Sequence, residues 1–191
     1  MRKNKNNSRI VVIPMDLIIN INYEEEEMDK LFAKLYGHDK TIIEYQKNRY
    51  REILEKYKEL FPKSADKVQF FSTPGRTEVG GNHTDHNHGR VLAAGVNLDG
   101  VAAAAKSGNS VITVYSKGYG DAFVVDTNDL EIREQEKETT LALIRGIAAR
   151  FKELGYNIGG FNAYISSDVL GGSGLSSSAC IEVLLGTILN Y

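Results

Sequence analysis

The chain has 191 residues, of which 42% are hydrophobic and 25% are charged, a balance typical of a globular protein with a core of its own. Its formal net charge of −2 argues against nucleic acid as a partner, because proteins that bind nucleic acids are normally clearly basic. The one cysteine, Cys180, excludes an internal disulfide framework and indicates a reducing compartment, so we expect a cytoplasmic protein.

Residues 1–27 are predicted to be an N-terminal extension that is poorly ordered. They combine a basic, asparagine-rich start with an apolar run at residues 10–21 and an acidic end. The apolar run superficially resembles a signal peptide, but Pro14, Asp16 and Asn20 interrupt it and no small-residue cleavage site follows. No segment reaches the length of a membrane span, so we expect no membrane partner.

Residues 28–66 are predicted to be a helical segment. Apolar residues near helical spacing indicate a short helix over 28–36, ended by Gly37, and a longer helix over 41–60, ended by Pro62. We expect the tyrosines of the longer helix to serve packing rather than recognition: Tyr45, Tyr50 and Tyr57.

Residues 67–191 are predicted to form a second unit in which strands alternate with glycine-rich turns. Strand patterns cover 68–72, 91–98, 101–106, 111–116 and 122–126. We expect Asp99 to occupy a turn between two of these strands, and residues 73–76 to be a loop. A helix from Thr139 or Thr140 to Gly155 completes an antiparallel-rich α+β layout, in which helices pack against one sheet.

A strand, a glycine-rich loop and a helix follow one another near the end of the sequence. Gly171, Gly172 and Gly174 permit backbone torsions that other residues avoid, and Ser176–Ser178 stand where the helix begins. Free N–H groups and the positive end of the helix dipole favour an anion such as a phosphate there, and a hydroxyl can help to bind Mg²⁺. No lysine follows the glycines, so the loop is not the common P-loop. The alternative interpretation is a Gly/Ser-rich turn with Ser176 as an ordinary N-cap.

A second polar loop is predicted between two strands, at residues 74–89. It holds an arginine, a carboxylate, hydroxyls and imidazoles, a set that can hydrogen-bond a small polyol. Arg76 can also stabilise charge on a transferring phosphoryl group. Zinc binding is an alternative for the carboxylate of Asp85 and the histidines His83, His86 and His88, although the sequence shows no partners that would orient such ligands.

Together the two loops resemble the signatures of the galactokinase family, which belongs to the GHMP small-molecule kinases. The first signature is matched by Pro74, Gly75, Arg76, Gly81, His83, Thr84, Asp85, Asn87 and Gly89. The second is matched by Gly172, Gly174, Leu175 and Ser176–Ala179. The resemblance covers residues 28–191 and implies the N-terminal domain of a GHMP kinase, of the ribosomal protein S5 domain 2-like class, with an extra helical N-terminal segment.

The resemblance also implies ATP-dependent phosphorylation of galactose at its anomeric hydroxyl, which gives galactose 1-phosphate. Arg76 would then stabilise the transition state, and the sugar would be surrounded by Asn82, His83, Thr84 and Asp85. The ATP phosphates would be held by Gly172, Ser173, Gly174, Leu175, Ser176, Ser177 and Ser178, with Ser178 as the Mg²⁺ ligand. Ser116 falls where the family contacts the nucleotide.

Some residues depart from the family pattern. The glutamate that contacts the sugar is replaced by Asn82, and the proline before the phosphate loop by Leu170. The alternatives are therefore a kinase for a different sugar and a non-catalytic module that senses a sugar or a nucleotide. Sensors of this kind are expected to have a defective serine motif, and the intact Leu175–Ala179 favours an enzyme.

The resemblance places the catalytic Asp, an acidic Mg²⁺ ligand and a third glycine-rich motif downstream of residue 191. We therefore expect this chain to be inactive alone. The missing part would be a continuation of the chain or a separate C-terminal half as a partner, and the alternative is a truncated product whose core lacks that half. Asp168 precedes the phosphate loop and is predicted to be a structural or solvated acid rather than a substitute base.

Overall fold

The computed structural model describes residues 11–13, 25–81 and 88–191, and for 11–13 and 25–27 it describes the backbone alone. Within these ranges the strands are β1 Val11–Ile13, β2 Gln69–Gly80, β3 Leu92–Lys106, β4 Val111–Ser116, β5 Phe123–Asp126 and β6 Phe161–Ser167. The α-helices are α1 Glu25–Tyr36, α2 Lys40–Leu60, α3 Thr140–Glu153 and α4 Ser177–Asn190. Short 3₁₀ helices lie at Pro62–Ser64 and Glu134–Glu136.

The strands form one sheet in the order β1-β2-β3-β6-β4-β5. Neighbouring strands pair antiparallel, except that β4 and β6 are parallel. In the chain, β5 and α3 lie between β4 and β6 and return the chain to the end of the sheet at which β4 begins. β1 pairs with β2 at the sheet edge, where Val12 lies opposite Phe71. These observations confirm the predicted α+β class. No helix within the described ranges is long and apolar enough to cross a membrane.

Small side chains in β3 let helices approach the sheet from both faces. Val101, Ala103 and Ala105 belong to the core cluster that includes α1 and α2. Ala102 and Ala104 belong to the cluster that includes α3 and α4. Successive residues alternate between the clusters because side chains along a strand point to opposite faces. The core therefore has two halves, one on each side of the sheet.

The helices predicted at 28–36 and 41–60 are confirmed as α1 and α2. The Asp39 side chain caps α2 by accepting a hydrogen bond from the Thr41 N–H at 2.8 Å. Pro62, which cannot continue a helix, follows its last turn. The ends of α2 are therefore set by local sequence.

The tyrosines of α2 occupy two kinds of environment. Tyr50 and Tyr57 are fully buried, as predicted for packing residues, and the Tyr50 ring centroid lies 5.1 Å from that of Phe70 in β2. The prediction that Tyr45 serves packing is wrong, because 54% of this residue is exposed. Its hydroxyl donates a hydrogen bond to the Asp168 carboxylate at 3.2 Å.

The predicted turn at Asp99 and the predicted loop at residues 73–76 are both wrong. β3 runs unbroken through Asp99 and Gly100, and β2 runs through 73–76 with a bulge after Pro74, a place in a sheet that proline tolerates. A β-carbon at Gly100 would lie 3.2 Å from the Cys180 sulfur, so the missing side chain admits α4 to the sheet. Asp99 stays inside the strand because buried donors satisfy its carboxylate.

Those donors form a buried ion-pair cluster where α2 meets the sheet. Arg49 Nη1 lies 2.6 Å from the Asp99 carboxylate, and the two side chains are only 3% and 5% exposed. Tyr36 donates a hydrogen bond to the same carboxylate at 2.6 Å, and Ser72 donates another. Burial disfavours the Arg49 cation, yet the carboxylates of Asp99 and Asp168 outweigh it and raise the pKa of Arg49 above its ordinary value. Arg49 is therefore a permanent buried cation.

We expect Asp99→Ala to lower the free energy of unfolding by about 3–5 kcal/mol, because it leaves the Arg49 cation buried without its main partner. Urea unfolding followed by circular dichroism measures this change. The exposed ion pair between Lys56 and Glu59 supplies a matched control, and Glu59→Ala should cost less than about 1 kcal/mol. Equal costs for the two substitutions would contradict a stabilising role for the buried pair.

Candidate functional site

The loop between β6 and α4, residues 168–176, is called the glycine loop below. Gly172 and Gly174 have φ values of 77° and 74°, in the left-handed region that glycine enters without strain. A β-carbon on either of these glycines, or on Gly171, would meet no atom within 4 Å, so the loop borders open space. Its backbone is therefore accessible to a ligand.

Helix α4 presents backbone N–H groups at the end of the glycine loop. The Ser176 side chain makes no capping hydrogen bond to these groups. The alternative of Ser176 as an ordinary N-cap is wrong, because Ser176 has φ 57° and ψ 55° instead of the extended torsions of a capping residue. The positive end of the helix dipole therefore stays open to an anion.

Arg76 of β2 contacts the glycine loop through both its backbone and its side chain. Its N–H donates to the Leu175 carbonyl at 3.0 Å, and its Nη2 donates to the Ser176 hydroxyl at 2.8 Å. Nearby, the Thr73 hydroxyl donates to the Cys180 carbonyl at 3.0 Å, which fastens β2 to α4. The structure thus brings together two predicted motifs whose contacting residues are 100 positions apart.

A cavity of about 530 Å³ lies beside the glycine loop, between the sheet and helices α3 and α4. Ser116, Ser177 and Ser178 line it, so the structure brings these predicted nucleotide residues to one place. Its apolar lining includes Val114, Phe123, Leu143, Ile165, Ile181 and Leu185. The volume falls within the range of about 300–1,000 Å³ that is usual for small-molecule sites. Arg76 is not among the lining residues and approaches the loop from the β2 side.

An ion pair that sequence reasoning missed supports one wall of this cavity. Arg145 of α3 donates to the Glu136 carboxylate through Nε and Nη2, each at 2.8 Å, and to the Asp129 carbonyl at 2.6 Å. These bonds hold the segment that leads into Glu138 and Thr139, which line the cavity. The hydrogen bonds from Arg145 lower the pKa of Glu136 below its ordinary value. No periodicity could reveal this pair, whose members are nine residues apart in different elements.

The predicted sugar residues lie outside the described residues: Asn82, His83, Thr84 and Asp85. His86 also lies outside them, whereas Gly81 and His88 are described. Among the described residues, no group of His, Cys, Asp and Glu side chains could hold a metal ion, so the zinc hypothesis stays a prediction. The undescribed segment follows β2 directly, and β2 is the strand that carries Arg76.

The described residues fit the phosphate chemistry that the motifs predict. The uncapped N–H groups of α4 and the hydroxyls of Ser177 and Ser178 can donate to phosphate oxygens. The Arg76 guanidinium adds a fixed positive charge at the end of the same loop. A serine hydroxyl is also an oxygen ligand of the kind that Mg²⁺ accepts. The arrangement can therefore bind a polyphosphate with its metal ion.

Comparison with known proteins relates the chain to galactokinases. The family described as "Galactokinase galactose-binding signature" matches residues 55–106. The galactokinase of Ligilactobacillus salivarius is 33% identical over 137 residues, which is 71% of this chain and 35% of that protein. The galactokinase of Bacillus subtilis is 32% identical over 123 residues, which is 64% of this chain and 32% of that protein. The chain thus spans about a third of the length of these relatives.

Solved structures show the same relationship. The crystal structure of Lactococcus lactis galactokinase complexed with galactose matches 87% of this chain and 36% of its own, with a TM-score of 0.60 and 25% identity. The mevalonate kinase of Methanococcus jannaschii matches 63% of this chain and 39% of its own, with a TM-score of 0.52 and 17% identity. The second likeness concerns the fold alone. Both neighbours confirm the predicted GHMP kinase fold.

We expect Glu136→Gln to destabilise the chain at neutral pH and to lose this effect in acid. Because Arg145 lowers the pKa of Glu136 in the folded chain, the carboxylate contributes stability above the ordinary glutamate pKa of about 4.3. That contribution is lost as the pH falls through the lower folded-state value. Urea midpoints of wild type and variant, measured from about pH 7 down to about pH 3, give the difference.

The matched control is Glu153→Gln, which removes the charge of the exposed partner of Arg150. It should differ little from wild type across the whole pH range. If the gap between wild type and Glu136→Gln stayed constant down to the lowest pH, the stabilising ion pair with Arg145 would be refuted.

Proposed function

We propose that this chain, a relative of galactokinases in sequence and in fold, forms the nucleotide- and sugar-binding part of an ATP-dependent sugar kinase. The reaction transfers the terminal phosphoryl group of ATP to the anomeric hydroxyl of galactose and gives galactose 1-phosphate. The observation that carries the proposal is the double contact of Arg76 with Leu175 and Ser176. It joins the phosphate motif to β2, a strand that lies within the region matching the galactose-binding signature.

The nucleotide is assigned to the cavity and the glycine loop. The apolar lining, with Phe123 and Leu143, suits a flat base, and the hydroxyls of Ser116, Ser177 and Ser178 suit the polar parts of the nucleotide. Mg²⁺ would be held in part by Ser178 and, when bound, neutralises charge on the phosphates. Within the chain itself, the uncapped start of α4 supplies donors that need no rearrangement to receive an anion.

Arg76 is assigned the stabilisation of charge on the transferring phosphoryl group. Phosphoryl transfer depends mostly on positioning and on electrostatic stabilisation, so a fixed cation at the phosphate loop is the contribution that a protein can make. Among the described residues, the guanidinium donates to the neutral hydroxyl of Ser176. This contact orients the cation without cancelling its charge.

The sugar is assigned to Asn82, His83, Thr84 and Asp85, with Asp85 as the firmest hydroxyl partner. In the sequence these residues come after β2, the strand whose Arg76 contacts the glycine loop. The galactose complex of the Lactococcus lactis protein supports galactose as the sugar. Asn82 in place of glutamate keeps an acceptor but removes a charge, which favours a kinase for a different sugar as the alternative.

The catalytic Asp and the acidic Mg²⁺ ligand are proposed to come from a C-terminal half, as the coverage of about a third of each relative supports. A non-catalytic sensor is the alternative from another class, and the intact Leu175–Ala179 argues against it.

We propose a cytoplasmic location, because the single cysteine indicates a reducing compartment.

The proposed reaction is tested by mass spectrometry of galactose 1-phosphate formed from galactose and Mg·ATP. We expect product when the chain is mixed with a separately expressed C-terminal half, and no product from the chain alone. Arg76→Ala should then lower the rate by about 100-fold or more, the usual effect of losing a group that stabilises transition-state charge. Arg150→Ala, at an exposed arginine of α3, is the control and should keep the rate. A full rate with Arg76→Ala would disprove the role of Arg76.

We expect Leu143→Trp to block nucleotide binding by filling the cavity that Leu143 lines from α3. The dissociation constant for Mg·ATP, measured by isothermal titration calorimetry, should rise about tenfold or more, which corresponds to about 1.4 kcal/mol. Leu154→Trp, at a position that is 57% exposed, is the matched control and should leave the affinity unchanged. Wild-type affinity in a folded Leu143→Trp variant would place the nucleotide elsewhere.

A further inference from the structure

The start of the glycine loop is tied to helix α2 through Asp168. One oxygen of its carboxylate lies 2.9 Å from Arg49 Nη1, and the other accepts a hydrogen bond from the Tyr45 hydroxyl at 3.2 Å. The backbone N–H of Asp168 donates to the Asp99 carbonyl in β3 at 2.9 Å. The first residue of the loop is therefore held by its side chain and by its backbone.

Arg49 is the centre of these contacts. Besides its ion pairs with Asp99 and Asp168, its Nη2 donates to the carbonyls of Asp99 at 2.9 Å and Ser166 at 2.8 Å. Asp99 lies in β3 and Ser166 lies in β6, just before the loop. One buried cation of α2 thus fixes two neighbouring strands and the loop start relative to each other.

The two ends of the glycine loop are therefore held by different arginines. Arg49 holds the start through Asp168, and Arg76 holds the end through Leu175 and Ser176. Between them the loop is rich in glycine, the residue that loses most conformational freedom when it is ordered. Fixing both ends lowers the entropy that a phosphate ligand must remove, and such preorganisation increases affinity.

We propose that Arg49, Asp168 and Tyr45 position the glycine loop for phosphate binding, so that helix α2 helps to set the affinity for the nucleotide. This inference rests on the proposed nucleotide site. The three side chains act through the loop and are positioning residues. The galactose-binding signature begins to match at residue 55, so Tyr45 and Arg49 lie outside it.

Charge and positioning make opposite predictions for Asp168→Asn. A carboxylate at the base of a phosphate site repels an anionic ligand, so removing its charge would by itself tighten nucleotide binding. Loss of the ion pair with Arg49 loosens the loop start, so the positioning role predicts weaker binding. Tyr45→Phe removes one hydrogen bond without any change of charge, which isolates positioning.

Hydrogen–deuterium exchange of the ligand-free chain tests the positioning role directly. Peptides covering residues 168–176 should exchange about threefold faster in Tyr45→Phe and about tenfold faster in Asp168→Asn, as expected for the loss of one exposed hydrogen bond and of one ion pair with a buried arginine. Tyr156→Phe is the matched control, because Tyr156 is 56% exposed and Tyr45 is 54% exposed. It should leave the loop unchanged. Unchanged loop exchange in both test variants would overturn the inference.

Peptides from β4 and β5 provide an internal reference in the same experiment. Faster exchange throughout the chain would show a general structural role and would also overturn the inference. The second readout is the dissociation constant for Mg·ATP, which should rise by the same factors. Tighter binding of Mg·ATP by Asp168→Asn would overturn the positioning role and would show that the charge of Asp168 dominates. If wild type bound no Mg·ATP, the proposed function would fail, while the exchange of the ligand-free loop would still decide the positioning role.

Discussion

The hydrogen bonds from Arg76 to Leu175 and Ser176 fix the relation between β2 and the start of α4. They form because β2 is bulged next to Arg76 and because Gly100 lets α4 lie against the sheet. The contact thus joins the loop beside the cavity to a strand that lies within the region matching the galactose-binding signature.

Local sequence was sufficient where the decisive interactions are local. The helix predicted over 41–60 ends where Pro62 predicts, just after Leu60. Gly172 and Gly174 adopt the left-handed torsions that their residue type implies. The two signatures also identified the family, because their spacing and order carry information that a single short motif lacks.

Local sequence failed where a distant partner decides the conformation. An Asp-Gly pair usually marks a turn, but Asp99 stays in a strand because Arg49, 50 positions away, satisfies its carboxylate in the core. Ser176 has the residue type of an N-cap, but its hydroxyl accepts a hydrogen bond from Arg76. The exposed Tyr45 likewise acquires its partner Asp168 from another part of the chain. Each error reflects a tertiary contact that overrides a local preference.

The site therefore combines neutral donors with two well-held cations. Backbone N–H groups and serine hydroxyls face the ligand, while Arg76 and Arg49 hold opposite ends of the glycine loop. The central claim is that the glycine loop, the cavity and Arg76 form one shared site for the nucleotide. Its most direct test is a ¹⁵N–¹H NMR titration of the chain with Mg·ADP. A shared site predicts that the amides of residues 171–178, Ser116 and Arg76 shift along one common binding curve. Shifts confined to other parts of the chain, or an Arg76 amide that does not respond, would contradict it.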